Sequence, residues 1–69
     1  MVDIKLLEEA IVNSGKKKSY LAEKLGITVQ NFRLKCTNIS DFRIKEVNIL
    51  CSELGITDLE IKEKIFFSM

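Results

Sequence analysis

The chemistry of this chain is concentrated between Thr28 and Cys36, which read TVQNFRLKC. Gln30 and Asn31 are of the type that bonds an adenine edge through two hydrogen bonds, and Arg33 of the type that does so to guanine. Each such pairing discriminates against a wrong base by about 1–3 kcal/mol. On a helical wheel Phe32 and Cys36 point inward. Gln30, Arg33 and Leu34 point outward together, flanked by Val29 and Asn31. Leu34 on a polar face has two readings: contact with a thymine methyl, or packing against a neighbouring loop. The expected base-reading set is Val29, Gln30, Asn31, Arg33 and Leu34.

A second constellation, Lys16, Lys17 and Lys18, stands where a helix is expected to begin. None of the three is a good N-cap, and cations at a helix N-terminus oppose its dipole. A bound phosphate would accept the free N–H groups and neutralise the lysines. A solvated basic loop is the other reading. Ser19 would add a hydroxyl. Thr28, Lys35, Asn38 and Arg43 complete the expected phosphate-binding set.

Other chemistries are poorly supplied. There is no His, and two Cys (36 and 51) are too few for the common zinc sites. No Gly-rich phosphate loop or obviously paired carboxylates suggest catalysis. The expectation is a non-enzyme without cofactor, metal or small-molecule substrate. Net charge is only +1, yet it is unevenly spread. From Lys16 to Lys45 eight bases face two acids, a net +6, and the remainder carries −5. A basic middle between acidic flanks suits one phosphate-facing side.

Five helical segments must hold these residues, in one domain spanning residues 1–69. The first, about Asp3 to Ser14, places Ile4, Leu7 and Ile11 at helical spacing behind an Asp3 cap, and Gly15 ends it. The second runs from about Lys18 to Leu25 and ends at Gly26. The third runs from about Val29 to Cys36 behind a Thr28 cap, with Asn38 suited to a left-handed turn after it. The fourth, about Arg43 to Leu54, carries Ile44, Val47, Leu50, Cys51 and Leu54 on one stripe. The fifth, about Asp58 to Phe67, is expected behind a Thr57–Glu60 capping box. Cys36 and Cys51 lie on apolar helical faces and read as buried, reduced thiols rather than a disulfide. The N-terminus lacks a signal-peptide pattern, and no apolar run is long enough for a bilayer. The expected location is the cytoplasm, with no membrane partner.

The second and third segments together have helix-turn-helix spacing. Ala22 is small where two helices cross, Gly26 follows four residues later, Ile27 plugs the turn, and Phe32 faces the core. With LAEKLGIT at Leu21–Thr28, FRIKEVNILCSELGIT at Phe42–Thr57 and DLEIKEKIFF at Asp58–Phe67, the whole chain resembles the small Cro and CI-like repressors of bacteriophages. The variants of Gram-positive hosts are the most similar, and the absence of a second domain favours the Cro-like kind. The resemblance implies an all-α, five-helix, lambda-repressor-like domain that dimerises and binds double-stranded operator DNA to control transcription. Two positions depart from the pattern: Lys17 stands where Ser or Thr is usual, and Asn38 where Gly is usual.

The last segment is too apolar for a one-sided helix, and a core this small cannot bury all of it. The expected homodimer interface is Ile61, Ile65, Phe66 and Phe67, with Ile49 at its edge. A two-fold pair would set two reading helices about 34 Å apart on a near-palindromic site. The competing reading keeps the fold but makes it a protein-binding module, antitoxin-like or anti-repressor-like.

Overall fold

Local capping chemistry sets the helix boundaries. α1 (Ile4–Ser14) starts behind Asp3, whose carboxylate accepts the Leu6 N–H at 3.1 Å. α2 (Lys18–Leu25) starts behind Lys17, whose side chain caps nothing. α3 (Val29–Cys36) starts behind Thr28, whose hydroxyl accepts the Asn31 N–H at 3.1 Å. α4 (Ile44–Leu54) starts behind Arg43, and α5 (Leu59–Phe66) behind Asp58, whose carboxylate accepts the Glu60 N–H at 2.8 Å. These five helices form the computed structural model, which describes residues 1–68 and contains no strand among them. The fold is all-α, and α1, α2 and α4 each stop at a glycine.

Two boundaries differ from the sequence reading. The expected Thr57–Glu60 box is replaced by Asp58, which is the N-cap and whose carboxylate takes the Glu60 N–H that Thr57 was expected to bond. Arg43 is the residue before α4 rather than its first turn. There the Glu46 carboxylate reaches back and accepts the Arg43 N–H at 2.9 Å. This is half of a capping box, since a guanidinium has no acceptor to return the bond.

α2 packs on α3 and α4, while α1 packs on α4 and α5. Leu7, Leu21, Phe32, Cys36 and Leu50 are fully enclosed. Phe42 stands edge-on between Phe32 and Phe66, with ring centroids 6.1 and 5.9 Å away. Such edge-to-face pairs favour this geometry through the ring quadrupoles. Both cysteines are free and buried. Burial pushes the Cys36 thiol up to about 12 and also raises Cys51.

The apolar assignments shift at the ends of the helices. Ile4 and Ile44, both expected inside, are 43% and 65% exposed. The chain turns Val2 inward as the Asp3 N–H bonds the Ile65 carbonyl at 2.7 Å, and Phe42 packs against the core just before α4. Ile65 and Phe66, expected at a dimer face, are instead core residues, because α5 lies against α1. No helix of the described residues is long and apolar enough to cross a membrane.

Candidate nucleic-acid interface

The turn between α2 and α3 is closed from within. Gly26 adopts φ +73°, and its N–H donates to the Ala22 and Glu23 carbonyls. The Ile27 N–H adds a 3.0 Å bond to the Ala22 carbonyl. A Cβ on Gly26 would meet nothing within 4 Å, so conformation rather than space calls for glycine here. Ala22 is 1% exposed, which lets neighbouring backbones approach. Phe32 and Cys36 then fasten the inner face of α3 to the core.

The outer face divides the expected reading set. Gln30, Asn31 and Arg33 are exposed. Val29 is half-buried and packs on the core, which makes it a support rather than a free contact. Leu34 is half-buried, and its carbonyl accepts the Ile39 and Ser40 N–H groups at 3.0 and 3.1 Å.

The phosphate-binding set changes more. The Lys16 ammonium donates to the Glu53 carbonyl at 2.7 Å and to its carboxylate at 3.0 Å. Lys18 pairs with Glu8 at 2.8 Å, and Lys35 with Glu46 at 2.5 Å. Two carboxylates from neighbouring helices therefore relieve the crowding of cations at α2 that a phosphate was expected to relieve. Lys35 is enclosed against α4 and serves the fold. Asn38 is also committed: its amide oxygen accepts the Val2 N–H at 2.8 Å and its amide nitrogen donates to the Val2 carbonyl at 2.9 Å. Its backbone does take the expected left-handed form, at φ +66°. The Thr28 hydroxyl is occupied as a cap. Lys17, Ser19 and Arg43 are exposed, and their side chains have no hydrogen-bond partner among the described residues.

Some residues of this region carried no obvious signal. Tyr20 is 40% exposed and lies between the Lys16 and Lys24 ammoniums, 5.6 and 5.4 Å from its ring centre. The four-residue spacing of Lys16, Tyr20 and Lys24 was the available clue. The hydrogen bond from Lys16 holds the Glu53 carboxyl below its ordinary range. Burial would raise the Glu46 carboxyl, but the Arg43 N–H and the Lys35 ammonium outweigh it and leave a net lowering.

Away from this region, Ile44, Leu59, Ile61 and Phe67 are exposed by 65, 66, 48 and 47%. Ile44, Leu59 and Phe67 border a shallow groove of about 280 Å³ between α4 and α5, floored by Val47. Ile49 is half-buried. The described residues contain no group of His, Cys, Asp or Glu able to hold a metal ion. Comparison with known proteins gives no match among family models, curated proteins or solved structures.

Proposed function

We propose that this chain is a sequence-specific DNA-binding transcriptional regulator, a Cro-like repressor acting in the bacterial cytoplasm. α3 lies in the major groove of operator DNA. One observation carries the reading: α3 is sealed on one side by Phe32 and Cys36, at 0% and 1% exposure, and offers Gln30, Asn31 and Arg33 on the other. Bases are read by such side chains on a rigid helix, and the glycine turn with its buried Ala22 supplies the rigidity. Lys17, Ser19 and Arg43 remain available for phosphate. The homodimer forms through the exposed apolar residues Leu59, Ile61 and Phe67 of the α5 end, joined by Ile44.

Selection of bound duplexes from a random DNA pool tests the reading. Enrichment of a near-palindromic sequence, with affinity falling steeply as salt rises, supports it. Failure to enrich any sequence, with no salt-dependent binding, overturns it in favour of a protein-binding module of the same architecture.

A further inference from the structure

The α3–α4 connection is held by an unusual partner, the N-terminal segment. Asn38 stands just beyond the C-terminal end of α3, and its side-chain amide makes two hydrogen bonds to the backbone of Val2 across 36 residues. An amide that offers one acceptor and one donor to a single residue imitates a strand partner. Val2 is itself 7% exposed, and the next residue, Asp3, donates its N–H to the Ile65 carbonyl at 2.7 Å. A short strap thus runs from the end of α3 to the end of α5. On the α3 side the connection is turned back on itself, since the Thr37 N–H bonds the Arg33 carbonyl and the Ile39 and Ser40 N–H groups bond the Leu34 carbonyl. Arg33 and Leu34 therefore carry both the outer face of α3 and the carbonyls that fix its exit.

We propose that Asn38 is a positioning residue: through Val2 it locks the C-terminal half of α3 to α5, and this lock sets how sharply Arg33 discriminates between bases. Asn38 touches no DNA in this role: its amide oxygen and one of its two amide N–H groups are engaged by Val2. The consequence for base discrimination rests on the DNA-binding reading above. The lock itself does not, and it is measured on the free protein.

Asn38→Gly keeps the left-handed backbone and removes both bonds, so backbone strain is not introduced. Asn38→Asp keeps an acceptor for the Val2 N–H and loses the donor to its carbonyl. Amide hydrogen exchange without DNA is expected to quicken at Thr37, Ile39 and Ser40 by about tenfold or more in the glycine variant, less in the aspartate variant, and little at Leu7 or Leu50. With a duplex selected by the unaltered protein and a random duplex of equal length, the affinity ratio is expected to fall about five- to tenfold in the same order. Both are measured where every variant is fully folded, so a loss of global stability alone would leave the ratio unchanged. Unchanged exchange at Thr37, Ile39 and Ser40 overturns the lock. Faster exchange with an unchanged ratio overturns its role in discrimination. Absence of DNA binding by the unaltered protein overturns that role together with the DNA-binding reading, while exchange still decides the lock.

Discussion

At the scale of single residues, Glu46 joins two helices through one carboxylate. It receives the Lys35 ammonium from α3 and the Arg43 N–H at the start of its own helix, and it is 8% exposed. Removing one partner of such a site leaves the other poorly solvated, which is why the change is felt. Glu46→Gln is expected to cost about 1–3 kcal/mol at neutral pH, read by chemical denaturation. The pH dependence follows from the lowered carboxyl. Its stabilisation is fully present above the ordinary value of 4.5 and is lost as pH falls through the depressed folded value. Between neutral pH and about pH 3 the unaltered protein should therefore lose more stability than Glu46→Gln does. Glu46 was not legible as a partner in the sequence, because the residue three before it, Arg43, is not a capping type. Asn38 was legible only in its backbone: its type announces a left-handed turn, but nothing local announces that Val2 will fold against it.

At the scale of elements, α2 and α3 were legible in full. The capable N-cap Thr28 and the stop at Gly26 are local signals, and the alternation of Phe32 and Cys36 with polar residues is a helical period. Side-chain pairing between helices is not local, so the sequence did not announce that Lys16, Lys18 and Lys35 each meet an acid from another helix. The distinction predicts different phenotypes. Lys17→Ala should weaken binding to all DNA alike and lower the salt dependence by about one released ion. Arg33→Ala or Gln30→Ala should relax preference at one base pair by about 1–3 kcal/mol while leaving affinity for random DNA nearly intact. Lys35→Ala should instead reduce thermal stability, with DNA affinity changed only as far as folding is. Binding titrations on selected and random duplexes, beside thermal melts, separate the three.

At the scale of the whole molecule, those same ion pairs draw the basic middle onto the acidic flanks. Three of the eight cations between Lys16 and Lys45 are paired with carboxylates of other helices. The external field of the basic middle is therefore weaker than the linear charge pattern implies. Leu59 is 66% exposed and absent from the core. Leu59→Lys is expected to convert a homodimer to a monomer without lowering helix content, as measured by sedimentation and circular dichroism. A monomer at high micromolar concentration for the unaltered protein, with and without DNA, would exclude the dimer. The count of apolar residues in α5 pointed to surplus apolar surface. It could not say which residues α1 would claim, and the packing took Ile65 and Phe66 and left Leu59 and Phe67 outside.

The bond between the Asp3 N–H and the Ile65 carbonyl also bears on the order of assembly. It joins segments nearly the whole chain apart, whereas α2 meets α3 and α4 over much shorter separations. Closing the longest loop carries the largest entropic cost, so α5 is expected to dock after the middle helices have formed. Ile65→Ala should then speed unfolding in stopped-flow measurements and leave the folding rate nearly unchanged. In reverse, opening begins where the ends meet, and the strap on Asn38 is released before the core beneath α3 gives way. The outer face of α3 would lose its fixed geometry earlier than the protein loses its fold.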